Sequence, residues 1–240
     1  MLAFCAACAT ATAPALADQT VPQQVRDAVK TLAAQRHGAL AFQRHHVYDQ
    51  RAPGRNELVK SEFGVARDDG RVVAVKLYRR TKDGDAATPD DIAKRQAELD
   101  KELPDEDYAP PIVESALADY TFGAQAPCDN CSDDVVAIPF TSRKRDDDHG
   151  DGIVYVDERN HRFVRLRFHP SALPKDADSG EIEITFGHAL ADLWDVVAEK
   201  QTYTGHLLFI HGGATITIVQ NGYRRFDSPE AARSAVAAGL

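Results

Sequence analysis

Apolar residues fall at every second position in many short segments of this chain, and this alternation constrains the fold more than any other feature. The segments with this spacing contain Val73, Val75 and Leu77; Val136, Ile138 and Phe140; Val164, Leu166 and Phe168; Ile182, Ile184 and Phe186; and Ile216 and Ile218. Successive side chains of a strand point to opposite faces, so each segment is expected to be a strand with one apolar face. The sequence therefore predicts an antiparallel sheet that buries a single face.

Other segments have apolar residues at helical spacing. They begin near Pro22, at Thr88-Pro89, near Pro110-Pro111, at Ala189 and at Ser228-Pro229. Proline in the first turn and Ser or Thr before it are typical helix starts. The predicted fold class is α+β: a strongly curved antiparallel sheet, or half-open barrel, with helices covering its concave face.

The first residues predict export. Residues 2–17 contain no charged side chain and end in Ala15-Leu16-Ala17, a small-x-small cleavage signature before Asp18. We therefore predict a cleaved secretory signal peptide over residues 1–17 and a periplasmic protein. Residues 18–240 are predicted to form a single domain, interrupted by a helical and acidic insertion around residues 82–122.

Composition excludes several classes of protein. The chain is 43% hydrophobic, which is too apolar for a disordered chain. It has 28 Lys and Arg against 37 Asp and Glu, a net charge of −9. Since phosphate backbones are bound by clustered positive charge, nucleic acid is not an expected partner.

Once the predicted leader is removed, Cys128 and Cys131 are the remaining cysteines. In an oxidising compartment they are expected to form a small disulfide that holds a loop. The alternative is a redox site, because C-x-x-C is the thioredoxin spacing. Acidic neighbours such as Asp133 and Asp134 raise the pKa of a thiol and favour the structural interpretation.

Motifs for catalysis or metal binding are not found. No G-x-S-x-G or H-E-x-x-H motif occurs, and the acidic run 146–151 has Asp151 where a calcium loop requires glycine. His206 and His211 have opposite parity along the chain, which would direct them to opposite faces of one strand. We therefore expect a non-enzymatic protein with no catalytic residues, no cofactor and no metal site.

Arginines alternate with apolar residues in one segment, at Arg165 and Arg167. Alternating charge on a strand indicates a solvated face on which each arginine pairs with Glu or Asp across the sheet. A docking surface for an acidic partner or for lipid headgroups is the alternative interpretation.

The segment 152–168, GIVYVDERNHRFVRLRF, carries a family resemblance. An apolar strand that ends in Asp, followed by a reversal into a strand with alternating basic residues, resembles the periplasmic lipoprotein-carrier superfamily. That superfamily contains the outer-membrane lipoprotein carrier and the lipoprotein-sorting proteins. The resemblance implies a half-open barrel whose apolar concave face, lidded by helices, accepts acyl chains.

Two functions follow from these observations. The first is a binding or carrier protein for a lipid, an acyl chain or a lipoprotein, with the helices at 88–122 opening as a lid. The second is an envelope protein that binds another protein and has a filled core without a ligand cavity. For the first, the predicted ligand-binding residues are Val73, Val75, Leu77, Val164, Leu166, Phe168, Ile182, Ile184, Phe186, Ile216 and Ile218.

Overall fold

The described strands all join one antiparallel sheet in this computed structural model, which describes residues 21–102, 111–129, 131–207 and 210–240. The strands are β1 (Ala39–Ala52), β2 (Arg55–Asp68), β3 (Arg71–Lys82), β4 (Asp85–Ala86), β5 (Tyr120–Phe122), β6 (Ala126–Pro127), β7 (Val135–Ser142), β8 (Gly150–Asp157), β9 (Arg162–Pro170), β10 (Ala177–Leu190), β11 (Leu193–Leu207) and β12 (Ile210–Phe226). The helices are α1 (Gln23–Gln35), α2 (Pro89–Glu102) and α3 (Pro229–Ala238), with a 3-10 helix at Glu114–Asp119.

The strand order is β4-β3-β2-β1-β12-β11-β10-β9-β8-β7-β5, and β6 pairs with β7. β1 and β12 pair near the middle of the sheet, and from them neighbouring strands run outward in two meanders. The edge strands β4 and β5 do not pair with each other. The sheet is therefore open, in agreement with the expected half-open barrel.

An ion pair between strands that are not neighbours shows that the sheet is curved. Arg67 on β2 pairs with Asp195 on β11, although β1 and β12 lie between these strands. Three strand spacings in a flat sheet amount to about 14 Å, which two side chains cannot span. The face that carries Arg67 and Asp195 is therefore concave.

Two helices pack on the concave face. α1 lies over β8, β9 and β11, and α2 lies over β3. Leu99 of α2 packs in a cluster with Phe42 and Leu77. The buried apolar stripe of α1 consists of Val25, Ala28, Val29 and Leu32. The predicted helix near Pro22 and the predicted helix at Thr88-Pro89 are thus confirmed.

The third helix lies on the opposite face. Ala232 and Val236 of α3 pack against Ala39, Ala41 and Ala66, which alternate with concave-face residues along β1 and β2. Small side chains let the helix approach the sheet closely. The expectation that helices cover the concave face therefore holds for α1 and α2 and is wrong for α3.

The helix predicted to begin at Ala189 is wrong, since β10 and β11 form a hairpin there. Trp194 donates its indole Nε1–H to the carbonyl oxygen of Phe163 at 2.7 Å, and its backbone N–H to Gln35 Oε1 at 3.1 Å. The β-branched pair Val196-Val197 suits a strand. Pairing with β10 outweighs the local helical spacing.

Two other predicted segments lie wholly or partly outside the described residues. The predicted signal peptide, residues 1–17, is entirely outside them. In the predicted insertion, residues 82–122, the structure describes β4, α2, the 3-10 helix and β5. The second helix of that insertion, expected near Pro110, is replaced among the described residues by the 3-10 helix.

Candidate functional site

Most residues predicted to bind a ligand are packed in the core beneath a helix. Those in the cluster that includes α1 are Leu166, Phe168, Ile182, Ile184 and Phe186, and those in the cluster that includes Leu99 of α2 are Val75 and Leu77. Each is at most 6% exposed. We call this region, beneath α1 and α2, the filled part of the concave face.

Two register shifts remove Val73 and Val164 from the predicted face. Arg67 pairs with Val72 but Ala66 pairs with Ala74, so Val73 packs on the convex side near α3. In β9 the shift brings Phe163 into the core and leaves Val164 half-buried outside it. An extra residue in one strand places the side chains beyond it on the face opposite to the one that strict alternation predicts.

A cavity of about 450 Å³ lies at the other end of the concave face. Its lining includes Tyr48 of β1, Tyr203 of β11 and Ile216 of β12, with Pro174 from the loop before β10. None of the described lining residues belongs to a helix. We call this space the open-end cavity, and it contains Ile216 from the predicted set.

Strand register places these side chains together. Tyr48 lies opposite Ile216 across β1 and β12, and Gln201 lies opposite Ile216 across β11 and β12. The pairing of β1 with β2 runs without a shift, so Tyr48 shares the concave face with Phe42. Ile218, two residues along β12, is 5% exposed and lies toward the filled part.

Glycine allows the loop before β10 to close over one wall of the open-end cavity. A Cβ atom at Gly205 would lie 2.0 Å from the carbonyl oxygen of Asp176. Gly212, which is paired with Gly205, similarly approaches Ala52 of β1. A side chain at Gly205 or Gly212 would therefore collide with the neighbouring backbone.

The mouth of the cavity carries charged groups. Arg55 lies opposite Ala52, and Lys175 and Asp176 are in the loop before β10. His206 lines the same space and is hydrogen-bonded to Asp178. The wall is mainly apolar and aromatic, with Gln50 and Thr204 as polar members, and the mouth is charged. This arrangement suits an elongated ligand with one polar end.

Tyr203 contributes a neutral hydroxyl to the wall. It donates a hydrogen bond to Gln201 Oε1 at 3.1 Å. Burial raises the pKa of Tyr203, and the nearby Glu199 carboxylate raises it further. The side chain is therefore un-ionised at neutral pH and offers an aromatic face with a polar tip.

Between the open-end cavity and the filled part lies His46 of β1. It is paired with Ser61 and Ile218, and its Nε2 has no hydrogen-bond partner among the described residues. Burial, helped by Arg44 and Arg95, lowers its pKa to about 4. The imidazole is therefore neutral at neutral pH.

A buried charged triad, Arg36, Asp195 and Arg67, joins α1 to the sheet. Arg36 Nη2 donates to Asp195 Oδ1 at 2.6 Å, and Arg67 pairs with Oδ2. All three residues are at most 6% exposed. Burial alone would raise the pKa of Asp195, but the two guanidinium groups more than offset it and the pKa is lowered.

The sequence analysis did not find this triad. The available signal was an aspartate within the apolar stretch Leu193–Val197, since a charge there requires a buried partner. A second cavity, of about 500 Å³, lies beside Arg36. Its lining includes Arg71, Asp69 and Glu114, so charges of both signs surround it.

Arg165 and Arg167 of β9 are paired across the sheet, as the solvated-face interpretation predicted. Arg167 Nη2 lies 2.6 Å from Glu181, and Arg165 lies 3.9 Å from Glu183. The Arg165 guanidinium also lies 4.2 Å from the ring centre of Tyr155. These contacts place opposite charges beside Arg165 and Arg167.

Cys128 and Cys131 form the predicted disulfide. The pair follows β6, and the Cys128 backbone N–H donates to the Val135 carbonyl at 3.2 Å. The chain then turns into β7, so the described residues place no helix N-terminus at the sulfurs. This position agrees with a disulfide that holds a loop.

The expectation that His206 and His211 point to opposite faces is wrong. His206 and His211 face each other across the β11–β12 hairpin, with ring centres 5.9 Å apart. They lie on different strands, so parity along the chain does not decide their faces. Within the described ranges, no group of three or more His, Cys, Asp or Glu side chains is arranged to hold a metal ion.

The fold of this chain is similar to those of several solved structures. A LolA superfamily protein from Nitrosomonas europaea aligns over 86% of this chain and 96% of its own, with 9% identity and a TM-score of 0.37. A structure from Vibrio parahaemolyticus, described as an outer membrane lipoprotein-sorting protein domain, aligns over 85% and 94%, with 9% identity and a TM-score of 0.38. A DUF1329 family protein from Desulfovibrio piger aligns over 89% and 97%, also with 9% identity and a TM-score of 0.38.

No protein-family model and no curated protein matches the chain. No helix in the described part of the chain is long and apolar enough to cross a membrane.

Proposed function

We propose that this chain is a non-enzymatic binding or carrier protein for a lipid or acyl chain, which it holds in the open-end cavity. The observation that carries the proposal is a space of about 450 Å³ on the concave face, walled by Tyr48, Tyr203 and Ile216. Small-molecule sites are commonly concave, mostly apolar and of 300–1,000 Å³. Burial supplies about 0.8 kcal/mol for each methylene group removed from water.

Ligand entry in this proposal does not require α2 to move. Gln96 of α2 accepts from the Leu77 backbone N–H and donates to the Val75 carbonyl, both at 2.8 Å. Leu99 is 6% exposed. These contacts hold α2 on β3. We therefore propose that the ligand enters at the helix-free end of the concave face, and not by opening of a lid at residues 88–122.

The proposed setting is the periplasm. It rests on the predicted signal peptide, residues 1–17, and agrees with the Cys128–Cys131 disulfide, which an oxidising compartment preserves. A carrier in that compartment would shield an apolar ligand from water between membranes. The ligand could also be the acyl part of a lipoprotein, which the same cavity would hold by its chain.

Native mass spectrometry of residues 18–240, purified from a Gram-negative periplasm, tests the proposal. We expect a reproducible added mass that is lost on organic extraction and is identified as lipid. Ile216→Glu places a charge in the cavity and should abolish the added mass and the uptake of offered fatty acid.

Val219→Glu is the matched control. It makes the same kind of change on β12, but Val219 is 40% exposed and alternates with the concave-face residues. This variant should keep the ligand. An apo mass with no uptake by the wild-type protein, or equal loss in both variants while both stay folded, would overturn the proposal.

A further inference from the structure

The open-end cavity differs from a plain apolar pocket in having two cations at its mouth. Arg55 is the first residue of β2 and follows the turn at Pro53-Gly54. Its register partner is Ala52, which shares the concave face with Tyr48. Lys175 reaches the same space from the loop before β10.

Two of the nearby acidic groups pair with other cations. Glu57, two residues along β2 from Arg55, pairs with Lys82, and Asp178 pairs with His206. Asp176 also lines the cavity. Within the described residues, no carboxylate lies within 4 Å of the Arg55 guanidinium or the Lys175 ammonium.

We propose that the ligand is an anionic amphiphile with one acyl chain, a deeper claim that rests on the proposed function. Its chain lies against Tyr48, Tyr203 and Ile216, and its carboxylate or phosphate lies at the mouth between Arg55 and Lys175. A guanidinium fork matches either oxyanion in a bidentate manner, and an ammonium adds a second positive charge.

The charge of the whole protein makes this local arrangement selective. With a net charge of −9, the chain repels anions in general, so binding an anionic headgroup needs local cations. Both cations are solvent-exposed, and contacts of this kind are modest and salt-dependent. We therefore expect the headgroup to set selectivity and the chain to supply most of the affinity.

Calorimetric titration with three probes of equal chain length tests the inference: laurate, dodecyl phosphate and dodecanol, each below its aggregation limit. Wild-type protein should bind the two anions about tenfold more tightly than the alcohol. In the variant Arg55→Gln with Lys175→Gln, that preference should fall to about twofold or less, with dodecanol binding unchanged. Raising the salt from 0.1 M to 0.5 M should weaken binding of the anions alone.

Lys60→Gln with Arg224→Gln is the matched control, because it removes the same two charges from exposed positions away from the cavity. It should keep the tenfold preference. Equal binding of all three probes, or a preference that survives in the cavity-mouth variant, would overturn the headgroup inference and leave the proposed function standing. Failure of all three probes to bind would overturn the proposed function itself.

Laurate and dodecyl phosphate distinguish the two headgroup chemistries. Tighter binding of laurate assigns the mouth to a fatty-acid carboxylate, and tighter binding of dodecyl phosphate assigns it to a phospholipid-like headgroup. Both results support an anionic amphiphile. Dodecanol binding as tight as that of the anions contradicts it.

Discussion

The filled part of the concave face and the open-end cavity belong to the same sheet but differ in what covers them. Beneath α1, Leu166 and Ile184 are at most 6% exposed and pack against helix side chains. At the other end, Tyr203 and Ile216 are half-buried and no described helix residue reaches them. One alternating pattern thus produces a core where a helix lies over it and a candidate site where none does.

The residue types in the two regions also differ. The filled part is built mainly from Leu, Ile, Phe and Val, which close-pack. The lining of the open-end cavity includes tyrosine, glycine, alanine and glutamine. Tyrosine has an apolar ring and a polar hydroxyl, so it suits a surface that is partly exposed to water.

The largest effect is expected at the charged triad that joins α1 to the filled part. Asp195→Asn would leave Arg36 and Arg67 buried without a carboxylate, and breaking such a pair costs about 3–5 kcal/mol. Urea unfolding measures the change. Asp192→Asn, on the same hairpin, removes an exposed pair with Arg225 and should cost less than about 1 kcal/mol.

The triad also predicts a pH dependence. The pKa of Asp195 in the folded protein is below its ordinary value of 3.8, so its stabilising effect is fully present above that pH. The effect is lost as the pH falls through the lower, folded-state pKa. The difference between wild type and Asp195→Asn should be constant above about pH 4 and narrow below it, and a constant difference at lower pH would contradict the assignment.

Truncation at matched positions tests the comparison directly. Leu166→Ala, in the filled part, should destabilise the protein by about 2–5 kcal/mol because it leaves a cavity. Ile216→Ala, at the open end, should cost about 1 kcal/mol, since its side chain is only half-buried. Equal losses in urea unfolding would mean that the open end is packed as core.

A smaller effect is expected at the boundary between the two regions, where His46 has a pKa of about 4 against an ordinary 6.5. As the pH falls from 6.5 to 4, His46 becomes protonated in the unfolded chain but stays neutral in the folded protein. Stability should therefore decrease, by about 3 kcal/mol at most. His46→Gln should flatten this part of the pH profile, and parallel profiles for variant and wild type would show that His46 is not buried as described.

Local sequence signals predicted the elements that depend on local chemistry. Thr88 caps α2 through the Asp91 backbone N–H at 3.2 Å, and Ser228 caps α3 through the Ala231 backbone N–H at 3.2 Å. The helix predicted to begin at Ala189 failed because strand pairing decided its conformation. Arg36 and Arg67 could not be matched with Asp195, since more than 100 residues separate Asp195 from each of them.

What the sequence by itself determined is the alternation and the capping, and hence an antiparallel sheet and the starts of α1, α2 and α3. Register shifts decided on which face of the sheet Val73 and Val164 lie, because one extra residue in a strand moves every later side chain to the other face. The position of α1 decided which apolar residues became core. Whether an apolar strand face is core or binding wall depends on what lies over it, and that is a property of the tertiary structure.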